Sequence, residues 1–179
     1  RLLLQAFLNE GPVKATQAGN LTRKFTEAIL DRLDLPEGVL EAERSVRKVI
    51  NEPDFFHLHE PRVLLQMAKL VALRSSQFHV TKKGKSFLNE ERAGVLFAEL
   101  FRTLYRNMNL DYFDRMVEVP EIQETVAYSL YVIRQRADDW QRRTALASEI
   151  FLPYVKHRIP VGYDGRDNFD TFASTRVFH

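Results

Sequence analysis

Apolar residues recur at helical spacing along most of the chain, and the exceptions fall in its first half. Leu2–Leu8 reads as a short apolar helix closed by Asn9-Glu10-Gly11-Pro12. Val13-Lys14-Ala15 reads as a short extended piece, followed by Thr16-Gln17-Ala18-Gly19. Asn20 or Thr22 then caps a helix to about Leu33, with Phe25, Ile29, Leu30 and Leu33 on one side. After the turn at Leu35-Pro36-Glu37-Gly38, a helix over Val39–Ile50 places Val39, Leu40, Val46, Val49 and Ile50 inward, and Asn51–Pro53 ends it. Pro61 suits the first turn of the next helix, where its missing N–H is not needed. On that helix, running to about residue 71, Leu64, Ala68 and Val71 share one face, and Arg62, Gln66 and Lys69 share the opposite one. Val71–Leu73 and Phe78–Val80 read as strands joined through Arg74-Ser75-Ser76-Gln77, and Thr81-Lys82-Lys83-Gly84 leads into a helix through Phe87 and Leu88.

From Asn89 the pattern is helical throughout. Asn89 caps a helix with Glu90 and Glu91 in its first turn, and the apolar positions Leu96, Phe97, Leu100, Phe101, Leu104 and Tyr105 carry it to about Met108. Asn109–Pro120 reads as irregular, with Tyr112 and Phe113 tucked onto neighbours. Pro120 starts a helix carrying Ile122, Val126, Leu130 and Ile133, and Asp138-Asp139 starts another through Trp140, Leu146, Ile150 and Phe151 to Pro153. Residues 160–179 have no clear period and read as loop, with a short strand near Arg176–Phe178. The expected fold is therefore mainly α with a small β-sheet: a first half over 1–88, a helical region over 89–159 and an irregular tail over 160–179. The helices of 90–155 are rich in aromatic residues, and any left exposed would make a surface for a homodimer.

Charge changes this picture. Residues 61–89 hold six Lys or Arg and no Asp or Glu, whereas residues 1–60 hold 8 basic against 10 acidic and residues 90–179 hold 12 against 14. The formal charge of +2 thus comes from one stretch at +6 inside a mildly acidic chain. A basic helix followed by a basic hairpin is suited to nucleic acid. Hydrophobic residues make up 45% of the chain, enough for a packed core. No apolar run is long enough to span a membrane, and Arg1–Pro12 lacks the central apolar run of a signal peptide. The chain has no cysteine, which excludes disulfides and thiolate chemistry and fits a cytoplasmic protein.

The order helix, short strand, helix, extra helix, helix, strand, loop, strand resembles the winged-helix proteins over residues 2–88, with the helix at Val39–Ile50 as an insertion. Phe78-His79-Val80-Thr81-Lys82-Lys83-Gly84 is similar to the Thr-x-x-Gly junction after the wing in bacterial winged-helix regulators. Together with Thr16-Gln17-Ala18-Gly19-Asn20-Leu21, Asn109-Leu110-Asp111-Tyr112 and Tyr128-Ser129-Leu130-Tyr131, it resembles a bacterial group with a helical C-terminal region, from which no activity carries over. Thr-x-x-Gly itself needs no ligand, since Thr ends a strand and caps a helix while Gly relieves a tight backbone. The resemblance implies a DNA-binding transcription regulator. Arg62, Gln66 and Lys69 would then face the major groove, Arg74 and Gln77 would lie in the wing, and Lys82, Lys83 and Lys85 would contact phosphates. The alternatives are a winged-helix module that binds protein instead, or an enzyme with scattered catalytic residues.

Other constellations point to no chemistry. His57-Leu58-His59-Glu60 offers two imidazoles and a carboxylate without further ligands nearby, and reads as a loop anchored by its aromatics. Asp164, Asp167 and Asp170 lack the alternating oxygen ligands and closing Glu of a calcium loop. No phosphate-binding glycine loop, dinucleotide fingerprint, serine nucleophile elbow or zinc-protease helix is present. The expectation is a protein without catalysis, metal or cofactor.

Overall fold

A computed structural model of the chain describes residues 1–112, 114 and 116–178, so the expected position of Phe113 lies outside the described residues. The chain forms two compact units, Arg1–Met108 and Asn109–His179. Its described residues are mainly helical with a small three-stranded antiparallel sheet.

The first unit begins with α1 (Leu2–Asn9), which buries Leu3, Leu4, Ala6 and Phe7, and continues into β1 (Val13–Lys14). Next come α2 (Arg23–Leu30) and α3 (Val39–Val46), then a short 3-10 turn at Glu52–Asp54. After it follow α4 (Phe56–Met67), β2 (Val71–Arg74), β3 (Gln77–Val80), α5 (Lys82–Ser86) and α6 (Ala93–Asn107). The sheet order is β1-β3-β2, so the first strand pairs with the far arm of the later hairpin. Val13 sits opposite Phe78 and Leu73 opposite Phe78 on its other side. Val13 and Phe78 face the core, where the buried Phe78 ring lies 5.6 Å from Phe7, itself stacked on Phe25 at 5.4 Å, while Leu73 on the outer strand is exposed.

Three expectations for this unit need correction. The helix expected from Pro61 begins at Phe56 and ends at Met67. Buried Phe55 and Leu58 anchor its start, and Pro61 leaves only the carbonyl of exposed His57 without its intrahelical partner, which water can satisfy. His57–Glu60 is consequently helical rather than loop. The helix at 39–50 is shorter, ending at Val46, whose side chain is exposed rather than inward. Finally, α6 belongs to this unit, packing against α4, so the first compact unit runs past residue 88 to Met108.

The second unit contains α7 (Pro120–Glu124), α8 (Val126–Arg136), α9 (Arg143–Glu149), α10 (Pro153–Lys156) and α11 (Phe169–Arg176). Its core gathers Val119, Ile122, Ala147, Ile150, Phe151, Val155, Phe172 and Ala173. Two sequence expectations fail here. Trp140 is fully exposed ahead of α9, so Asp138-Asp139 does not start that helix. The segment expected to be an irregular tail holds α11, and Arg176 ends that helix instead of lying in a strand. The cause is a buried charge: Arg176 is wholly enclosed, pairs with Asp111, and donates from Nε to Asp114 at 2.5 Å and from a terminal nitrogen to the Val117 carbonyl at 2.9 Å. Its guanidinium also lies 4.6 Å from the Phe172 ring centroid. Among the described residues no helix is long and apolar enough to cross a membrane.

Candidate nucleic-acid interface

The basic stretch is organised by backbone geometry at three points. α4 ends on Lys69, whose φ of +59° is left-handed. The Leu70 N–H donates to the Leu65 carbonyl and the Lys69 N–H to the Gln66 carbonyl, both at 2.9 Å. This is a Schellman closure with lysine where glycine is favoured. The hairpin then turns through Ser75 (φ +48°) and Ser76 (φ +56°), a two-residue loop with both residues left-handed. The Ser76 carbonyl accepts from the Ala15 N–H at 2.9 Å, tying the turn to the end of β1.

The third point is the Thr-x-x-Gly junction. The Thr81 hydroxyl donates to the Lys69 carbonyl at 2.8 Å and accepts the Gly84 N–H at 3.0 Å, capping α5. Gly84 is required by close approach: a Cβ there would overlap the Leu70 carbonyl oxygen. Thr16–Gly19 does a different job. It closes a tight turn between Ala15 and Leu21, with Gly19 at φ +77° and the Thr16 side chain accepting the Asn20 N–H at 3.1 Å.

Strand register sets the outward face. Lys14, Gln77 and Arg74 stand directly opposite one another across β1, β3 and β2, so their side chains share the face away from Phe78. Ala72 and His79 form the next row on that face. Lys85 lies near His79: the two line one shallow pocket of about 230 Å³ with Pro12 and Phe7. Lys69 and Lys82 leave the backbone on either side of the Thr81–Lys69 hydrogen bond. Lys14, Lys69, Arg74, Lys82 and Lys85 are all exposed, and none makes an ion pair among the described residues.

Three expected residues are not part of a free basic surface. Arg62 is buried, not exposed on an outward helix face. Its Nε donates to Glu52 at 2.6 Å, one terminal nitrogen donates to the Asn20 side chain at 3.2 Å, and the other to the Gln66 side-chain oxygen. Gln66 is half-buried and held by that bond. Lys83 caps the C-terminal end of α4 by donating to the Ala68 carbonyl at 2.9 Å and pairs with Glu99 of α6. Among the eight residues proposed from sequence, Lys69, Arg74, Gln77, Lys82 and Lys85 therefore keep their side chains outside these contacts, whereas Lys83 is exposed but paired.

Two participants were missed. Lys14 lay in a two-residue strand, and only pairing with Gln77 puts it beside Arg74. The sequence pattern puts Glu52 at the end of a helix, yet it is fully buried and holds Arg62, His59 at 2.7 Å and the Leu21 N–H. Burial pushes the Glu52 carboxyl up, but the bonds from His59 and Leu21 and the charge of Arg62 outweigh it and hold the carboxyl below its usual range. His59 thus serves this network. Among the described residues no group of three His, Cys, Asp or Glu is placed to hold a metal ion.

The first unit is a mainly helical domain closed by a three-stranded antiparallel sheet, with unpaired cations gathered around its hairpin. The chain belongs to the Y4jL N-terminal domain family, whose model matches residues 1–93, slightly more than half the chain. Comparison with curated proteins and with solved structures finds no match.

Proposed function

We propose that the first unit is a winged-helix module that binds DNA through its hairpin face and α5, without catalysis. The observation that carries this reading is the segregation of charge: Lys69, Arg74, Lys82 and Lys85 stay exposed and unpaired in a stretch with no acidic residue, and Lys14 adds to them. The β1-β3-β2 sheet order and the helix before its hairpin support the fold assignment. Clustered cations of one sign raise the local potential and attract a polyanion. The binding surface in this reading lies on the hairpin and α5, because the α4 arginine is committed to Glu52.

The test is charge reversal in the intact chain. Lys82→Glu with Lys85→Glu should weaken binding to a 20-base-pair duplex at least tenfold at low salt, with helical content unchanged by circular dichroism. Unchanged affinity in the folded double variant removes the proposal.

A second reading, a protein-interaction module, draws on α4 itself. Its exposed positions include Phe56 and Met67 and no cation, and α6 beside it exposes Phe97 and Phe101. Pairing of two copies through these helices would give a concentration-dependent mass in sedimentation; a monomer at high concentration removes that form of it.

A further inference from the structure

We infer that, if the first unit binds DNA as proposed above, it binds duplex DNA by its phosphates without reading base sequence. Base readout from a helix needs side chains that present paired donors and acceptors to a base edge: arginine to guanine, glutamine to adenine. α4 has one of each, Arg62 and Gln66, and both are occupied. Arg62 is enclosed, with its Nε on Glu52 at 2.6 Å and its terminal nitrogens on Asn20 and Gln66. The Gln66 side-chain oxygen accepts that last bond, so turning its amide onto an adenine edge means sharing or giving up the bond that holds it against the buried guanidinium. The remaining exposed positions on α4, Phe56, His57 and Met67, supply a single imidazole and no bidentate group.

The cationic face has the complementary character. Lys14 and Arg74 are exposed beside the two-residue turn, and Lys69, Lys82 and Lys85 are exposed at the open end of the hairpin. Phosphate contacts fix position on a duplex and carry no sequence information. The face also lacks a stacking platform: Lys14, Ala72, Arg74, Gln77 and His79 include no Phe, Tyr or Trp. Single-strand binding without sequence preference relies on aromatic side chains under the bases, so a duplex fits this face better.

The experiment uses the intact chain, fluorescence anisotropy, and selection from a randomised 20-base-pair library. The expected results are affinities within threefold among duplexes of unrelated sequence, weaker binding to oligo(dT) of equal length, and no motif enriched over successive rounds. Gln66→Ala should leave duplex affinity within twofold of the parent. A motif preferred a hundredfold over random duplex, or a Gln66→Ala variant that loses affinity for one sequence alone, overturns sequence independence while leaving DNA binding intact. Tighter binding to oligo(dT) than to duplex overturns the choice of ligand. Absence of binding to every duplex overturns the inference together with the functional reading beneath it.

Discussion

Lys69 separates folding from binding more cleanly than any other residue on this surface. It sits at φ +59° in the cap of α4, where a side chain costs about 1–2 kcal/mol relative to glycine. The cap is otherwise complete, with both closing hydrogen bonds at 2.9 Å. Lys69→Gly relieves the left-handed strain, while the freer unfolded chain takes back about 0.4–1 kcal/mol. Loss of the ammonium from the C-terminal end of α4 costs a further ~0.3 kcal/mol through the helix dipole. Lys69→Ala loses the same charge but keeps the strain, so comparing the two variants cancels the charge effect. Glycine should exceed alanine by about 0.5–1 kcal/mol, or about 3–5 °C in a thermal melt. Both variants should weaken duplex binding by the same factor and lower the salt slope by about 1. A variant that becomes more stable and binds less well is the signature of a lysine retained for its charge. Equal stability of glycine and alanine would refute the strain argument, and unchanged binding in both would remove Lys69 from the interface.

Other substitutions test the scaffold. Gly84→Ala should destabilise the first unit by about 2–4 kcal/mol in urea denaturation, because the new methyl overlaps the Leu70 carbonyl; a cost below ~0.5 kcal/mol contradicts the close approach. Glu52→Gln should cost about 3–5 kcal/mol by stranding the charge of buried Arg62. Because the Glu52 carboxyl is held below its usual range, the stability it provides is present above the unfolded-state value near 4.5 and is lost as pH falls through its lower folded-state value. Glu60 behaves in the opposite sense. Burial on α4 raises its carboxyl to about 7, so its contribution is full below about 4.5 and is lost as pH rises through about 7. Glu60→Gln, which stays neutral, should therefore be more stable than the parent above pH 7 by about 1–3 kcal/mol and similar to it near pH 4. Equal pH profiles in chemical denaturation would rule this out.

Periodicity and turn chemistry made much of the architecture legible. The hairpin followed from two short extended runs around Arg74–Gln77, and the α5 cap from Thr81 with Gly84 three residues on. The basic region is visible too, since charge segregation needs only composition. What stayed hidden were buried charges. Helical spacing put Arg62 opposite Leu64 and Ala68, and a charged residue opposite apolar ones is normally solvated. A glutamate ten positions earlier reverses that outcome, and nothing local announces the pair. Arg176 misled in the same way, because its partners Asp111 and Asp114 lie about sixty residues away and turn an apparently polar tail into a packed helix. Trp140 shows the converse: a large aromatic expected within a helix started by Asp138-Asp139 lies ahead of α9 and is wholly exposed.

The salt dependence of duplex binding by the intact chain tests the central proposal most directly. Lys14, Lys69, Arg74, Lys82 and Lys85 could neutralise up to five phosphates, so the logarithm of the binding constant should fall against the logarithm of salt with a slope between about −3 and −4.5. Affinity should then drop about 60- to 500-fold between 50 and 200 mM salt. A slope near zero, or no duplex binding at 50 mM, would contradict the account.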